Sequence, residues 1–333
     1  MRIGMEIDFV IAWVDGADPA WQAERHRFSA DSWDAGGAHR YRDHGLLPYW
    51  FRAVEAYAPW VRKIHFVTWG HVPPFLNRNA PKIHIVRHED FIPAQYLPTF
   101  NSHTIEANLH RIPGLSEHFV YFNDDMFLLR PVDPEDFFRE GLPCTCGCEV
   151  PWAFSGEVGI WAHAAANGLG LVNRHFFKKE VLRKNGKRFL AARRWQDRVR
   201  TLGMELLFPD YFTGFRNLHG PSAFRKQTFR EVWEAEPKLL MQTCAHRFRS
   251  AEDVNQWAFL WWQVAGGCFC HRDAEGFAQG VSGTSIGKLC RTVEQQRYEF
   301  LCIQDAGGDV AEALARLGRS FQTILPEKSE YEA

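Results

Sequence analysis

The chain has 333 residues, 46% hydrophobic and 24% charged, with a formal net charge of −1. That length suits one large α/β domain or a domain with a sizeable insertion, and the composition excludes bulk disorder; the balanced charge argues neither for nor against nucleic acid or membranes. No stretch reaches the about 18 apolar residues of a membrane-spanning helix, and Met1-Arg2-Ile3-Gly4 runs into a strand-like segment without a cleavage-site pattern, so a cytoplasmic protein is expected.

The first half reads as strand followed by helix, repeated. Residues 7–14 (IDFVIAWV) form a short β-branched run that is apolar on both faces, the pattern of a buried parallel strand. Residues 47–57 follow, with Tyr49, Phe51, Val54 and Tyr57 near helical spacing. Residues 63–69, 82–87 and 118–122 are three further strand-like runs. Before the last of them, residues 102–112 predict a helix with Ser102 as its cap and Ile105, Leu109 and Ile112 on one face. Alternation of this kind predicts an α/β fold: a Rossmann-like or GT-A-like, mostly parallel sheet with covering helices.

Residues 150–215 differ. They are helical in character, and between Arg174 and Arg200 they hold eleven Lys or Arg against two acids, Glu180 and Asp197. The predicted organisation is therefore an α/β part over 1–150, a basic helical insertion over 151–215, and the rest of the domain over 216–333. Residues 224–266 read as amphipathic helix, and the polar, acidic end from Gln322 reads as frayed. The basic run is either a groove or patch for an anionic polymer or anionic lipid, or a solvated helix face.

The eight cysteines read as reduced thiols. Cys144, Cys146 and Cys148 alternate, as do Cys268 and Cys270. Structural zinc sites favour a Cys-x2-Cys knuckle over Cys-x-Cys, so a shared zinc site is the alternative.

Ligands of an open parallel sheet bind beyond the carboxyl ends of its strands. After the first strand come Asp15-Gly16-Ala17-Asp18, and after the fourth come Asn123-Asp124-Asp125. Two acid clusters thus fall on one edge of the sheet. Hard carboxylate oxygens there suit Mg2+ or Mn2+ on a diphosphate, with Asp124 and Asp125 as the metal candidates. The competing reading is a turn whose acids cap the next segment.

Several segments resemble the Stealth family: IDFVIAWVDG at 7–16, the stretch from Arg40 through Pro73 continued by 100–132, and more distantly 218–234 with 247–257 and 288–306. The family includes bacterial capsular polysaccharide phosphotransferases and the catalytic subunit of the animal GlcNAc-1-phosphotransferase. The resemblance implies transfer of a hexose-1-phosphate, such as GlcNAc-1-phosphate, from a UDP-sugar to a hydroxyl of a polysaccharide acceptor. UMP leaves, and capsule or exopolysaccharide is built. It places the family's functional acids at Glu106 and Asp125, its histidine at His219 and its arginine at Arg249. Trp69, Gln304 and Ala306 stand where the family commonly has Asn, leaving Asp305 alone in the last block.

Within that frame, Asp125 is a metal ligand or orients the acceptor hydroxyl. His219 takes the acceptor's proton or donates to a phosphate oxygen, and Arg249 offers a guanidinium fork to phosphate, beside a helix expected to start near Ser250. Asp15, Arg42, Asp43 and Asn101 are the donor-site candidates, although Asn101 and Ser102 also suffice as helix caps. The expected partners are a UDP-sugar and a polysaccharide, with no nucleic acid and with peripheral contact to the inner membrane face or the capsule assembly machinery. The alternatives are a metal-dependent glycosyltransferase releasing UDP and a non-catalytic binding protein of that machinery.

Overall fold

The computed structural model describes residues 4–29, 41–152, 158–217, 219–273, 276–305 and 307–333; Arg40, Leu218 and Ala306 lie outside them. The chain runs β1 (Ile7–Ala12), α1 (Pro19–Phe28), α2 (Leu47–Tyr57), β2 (Ile64–Thr68), β3 (Ile83–Arg87), α3 (Ser102–Asn108), β4 (His118–Asn123), β5 (Met126–Leu128), α4 (Pro134–Phe137), β6 (Phe138–Arg139) and β7 (Leu142–Thr145). Then come α5 (Ile160–His175), α6 (Lys178–Phe189), α7 (Trp195–Leu207), β8 (Ser222–Arg225), α8 (Lys226–Ala235), α9 (Pro237–Ala245), α10 (Gln256–Ala265), β9 (Cys270–His271), β10 (Gly276–Val281), α11 (Ile286–Gln295), β11 (Phe300–Asp305) and α12 (Ala311–Ile324).

The main sheet has the order β3-β2-β1-β4-β8. Its first four strands are parallel, and β8 closes the edge antiparallel to β4. The four strands expected from the apolar runs are the four parallel ones, and the α/β class with covering helices holds. Apolar side chains on both faces cause this: Phe9, Ile11 and Phe122 enter one core, while Val10, Phe119 and Tyr121 enter the other. Asp8 is the exception in β1. It is fully buried and accepts from Arg62, His65 and the Ser116 amide, and those bonds outweigh burial to hold its carboxyl below the usual range.

Four details depart from the sequence reading. Asn101, not Ser102, caps α3, accepting from the His103 amide at 3.0 Å. Residues 222–225 form strand β8 before the helices begin, because the edge of β4 is open to pairing there. Helix α10 is buried on almost every side rather than amphipathic, being walled in by α5, α8 and β8.

The C-terminus is not frayed. Tyr331 is 1% exposed against Phe51, and the Ala333 amide donates to the Phe75 carbonyl at 2.7 Å. Arg52 also grips Glu332 through two bonds of 2.8 Å. One buried aromatic and a bidentate pair outweigh the polar composition of the tail.

Sheet β10-β11-β5 ties the C-terminal third back to the segment after β4. Helices α5 to α7 follow β7 and precede β8 in the chain.

Candidate active site

A cavity of about 930 Å3 opens at the carboxyl ends of β1, β4 and β11. The chain reaches it from four directions. After β1, Gly16 lets the 41–44 segment close in: its amide donates to the Tyr41 carbonyl at 2.8 Å, and a Cβ there would sit 2.4 Å from that oxygen. This brings Arg42, Asp43 and His44 to the wall. Asp124 and Asp125 follow β4, and Asp305 ends β11. The link between the last two is direct, since the Ile303 amide donates to the Asp125 carbonyl at 2.8 Å.

Four carboxylates therefore face one space. Burial, then the neighbouring Asp125 and Asp43, push Asp124 up to about 8. Burial also raises Asp125, against the pull of His219 and His44 and of the Cys302 thiol, which donates to its Oδ2 at 3.3 Å. Asp125 Oδ1 is buried and has no hydrogen-bond partner among the described residues. A concentration of carboxylates with an unsatisfied oxygen fits a divalent cation with oxygen ligands, Mg2+ or Mn2+. Asp305 is partnered by His44 at 3.3 Å and Arg42 at 3.5 Å.

His219 and Arg249 complete the wall. His219 adopts φ +53°, a left-handed conformation costly for a side chain other than glycine, with its ring edge-on to Trp257 at 5.9 Å. Arg249 donates from Nε and Nη2 to Ser102 Oγ at 3.1 and 2.7 Å. No helix starts near Ser250; the next, α10, begins at Gln256. What fixes the Arg249 loop is Asp253, which accepts from Asn101, His103, His246 and the Ser250 amide.

Arg42, Asp43, Asp124, Asp125, His219 and Arg249 thus meet in one cavity, whereas Asp15, Asn101 and Glu106 do not line it. Asp15 turns back on itself, its Oδ1 accepting from the Ala17 amide at 2.8 Å. Asn101 is fully buried as cap and as partner of Asp253. Glu106 is 3% exposed, one layer behind the wall. It accepts from the Gln256 amide at the start of α10 and from the Tyr121 and Ser102 hydroxyls. Burial raises its carboxyl to about 7 although Arg249 and these donors oppose the rise. Arg249, Ser102 and Glu106 thereby form one chain of bonds.

Two site residues are not among those expected for the site: Asp305, which the sequence shows only as the lone acid of the last block, and His44. The sequence does carry a signal for Asp305, which ends the apolar run FLCIQD as Asp15 and Asp124 follow theirs. Nothing local marks His44.

The profile of Stealth protein conserved region 1 matches residues 5–32, and that of conserved region 2 matches residues 40–144. The chain is 38% identical to the receptor polysaccharide phosphotransferase WefC of Streptococcus gordonii, over 98% of this chain and 99% of that one. It is 35% identical to the capsular polysaccharide phosphotransferase WcwK of Streptococcus pneumoniae, over 98% of each. With the exopolysaccharide phosphotransferase cps2G of Lactiplantibacillus plantarum it shares 37%, over 98% of this chain and 96% of that one. A solved structure of galactosyltransferase LgtC with donor and acceptor sugar analogues overlays 97% of the chain at 12% identity with a TM-score of 0.41, too remote to bear on chemistry.

Proposed function

This chain belongs to the Stealth family of polysaccharide phosphotransferases, and we propose that it transfers a hexose-1-phosphate from a UDP-sugar to a hydroxyl of a polysaccharide acceptor, releasing UMP. The observation that carries this reading is the meeting of Asp43, Asp124, Asp125, His219 and Arg249 around one cavity large enough for a nucleotide-sugar and an acceptor end. In the reaction, the acceptor oxygen bonds to the sugar-bearing phosphorus and the bridging P–O bond breaks toward UMP. The acceptor's proton passes to a base.

Phosphoryl transfer asks mainly for positioning and charge neutralisation. Arg249 holds phosphate oxygens through the part of its fork not turned to Ser102, and Arg42 adds a second cation beside the donor. His219, whose strained backbone aims the ring into the cavity, receives the hydroxyl proton. Asp124 and Asp125 would hold Mg2+ or Mn2+, with Asp43 completing the acid set. Such a cation would offset charge on the diphosphate. Glu106 acts as a positioning residue, orienting Arg249 through Ser102. Trp152, packed on Trp257 at 5.5 Å between ring centres, supplies an apolar wall for a sugar or base face.

Purified protein incubated with a panel of UDP-sugars and an oligosaccharide acceptor is expected to release UMP and form a phosphodiester. UDP as the nucleotide product would replace this reading with an ordinary glycosyltransferase. Undiminished turnover by Asp125→Ala would remove that residue from the site.

The insertion supports one further element of the reading, contact with an anionic membrane surface. Helix α7 is turned apolar side out: Trp195, Val199, Leu202 and Leu206 share one stripe and are 67%, 57%, 43% and 85% exposed. Its inward face is polar, with Asp197 and Thr201 buried. Arg193, Arg194, Arg198 and Arg200 lie exposed around the stripe, the arrangement of an interfacial helix that meets acidic headgroups.

A further inference from the structure

After Thr145 the chain leaves the β7–β9 ladder, and it is bridged again only at Glu149. The three residues between are Cys146, Gly147 and Cys148. Both thiols are buried, at 7% and 0% exposure, and neither is in a disulfide. Opposite them lie His271, the last residue of β9, and Asp273 just beyond it. One donor atom from each of these four residues falls within 4.8 Å of the other three. His271 Nε2 and Asp273 Oδ1 are 3.2 Å apart.

We propose that Cys146, Cys148, His271 and Asp273 form a structural zinc site, separate from the catalytic cavity. Tetrahedral zinc with bonds of about 2.0–2.3 Å needs donor atoms about 3.3–3.8 Å apart, so the His271–Asp273 edge is already near its bound length and the sulfurs have at most about an ångström to close. The donor set, two thiolates with one imidazole and one carboxylate, suits zinc better than the all-oxygen preference of Mg2+.

The surroundings hold the four residues in place. Gly147 donates its amide to His271 Nδ1 at 3.4 Å, a contact that gives way when Nε2 binds zinc and Nδ1 carries the ring proton. A Cβ at Gly147 would strike the Phe269 ring at 2.5 Å, so only glycine lets the two cysteines turn toward β9 here. Asp273 Oδ2 accepts from the Arg193 amide at 2.6 Å, leaving Oδ1 facing the cluster. Cys144, Cys268 and Cys270 donate instead to backbone carbonyls of Glu135, Gly266 and Arg139. The shared site is therefore not a pooling of the two alternating cysteine groups. It joins one of them to the His271-x-Asp273 pair.

Zinc here would pin the insertion to the body of the protein. Arg193, between α6 and α7, hangs from Asp273, and the Arg216 amide donates to the Cys148 carbonyl at 2.9 Å. Binding releases the protons of both thiols, so occupancy rises with pH.

The test is elemental analysis of the full chain purified under reducing conditions without chelator, followed by replacement of the metal with Co2+. One zinc per chain and a thiolate-to-cobalt charge-transfer absorption are expected. His271→Asn should weaken zinc binding by about 100-fold or more, and Cys146→Ser with Cys148→Ser should abolish it. Asp125→Ala should keep its zinc, which separates this site from any catalytic cation. Three results would overturn the proposal: no zinc and no charge-transfer band in the unaltered protein, a Cys146–Cys148 disulfide found by thiol mapping, or full zinc in the double cysteine variant. Should that variant fail to fold, the metal content and cobalt spectrum of the unaltered chain decide.

Discussion

Glu106 illustrates how a carboxyl can serve a site it does not touch. Burial lifts it from 4.5 to about 7, and Ser102 relays it to Arg249. A raised carboxyl has a definite sign. The fold favours the protonated form, so the associated stability is fully present below pH 4.5 and is lost as pH rises through about 7, an effect of about 3 kcal/mol at most. Glu106→Gln should remove this pH dependence, measured by denaturant unfolding at pH 5 and pH 8. The same variant should lower kcat about 100-fold and weaken donor binding by a smaller factor, because Arg249 is misoriented on the phosphate rather than removed. An unaltered kcat would show that the Ser102 relay carries nothing. His219 belongs to the same scale: its type and loop position were visible in the sequence, but its φ of +53° and its seat beside Trp257 were not.

Among the elements, α7 is the clearest case of a pattern readable in one dimension and ambiguous in three. Apolar residues at 3.6-residue spacing ordinarily mark the buried stripe of a helix. Here the stripe faces out, because Asp197 and Thr201 are claimed from inside, Asp197 by Arg216 at 2.6 Å and Thr201 Oγ by the Glu149 amide at 3.2 Å. The basic run also divides. Lys178 is buried on Glu149 at 2.6 Å, and Arg174 pairs with Glu236, while the arginines beside α7 remain exposed. Leu206→Glu should at least halve co-sedimentation with vesicles rich in anionic lipid and leave thermal stability unchanged. Equal binding of the unaltered protein to neutral and anionic vesicles would refute the membrane reading.

Across the whole molecule, distant segments are joined by a few strong contacts, and the C-terminal strap is the most exposed to test. Tyr331→Ala should destabilise the fold by about 3 kcal/mol, read from denaturant midpoints, since it empties a fully buried aromatic position against Phe51. A change within about 0.5 kcal/mol would mean that the tail is loose in solution. By itself, the sequence determined the parallel strands, two of the helices between them, the acids at the strand ends and the family. Each of these is local: side-chain periodicity and turn chemistry act within a dozen residues, and family motifs are contiguous. Only the tertiary structure decided that Asp305 joins Asp124 and Asp125, that Glu106 stands behind the wall rather than in it, that α7 shows its apolar side to solvent, and that Cys146 and Cys148 face His271 and Asp273. Those outcomes depend on which surfaces of remote segments compete for the same buried space, and spacing along the chain does not encode that competition.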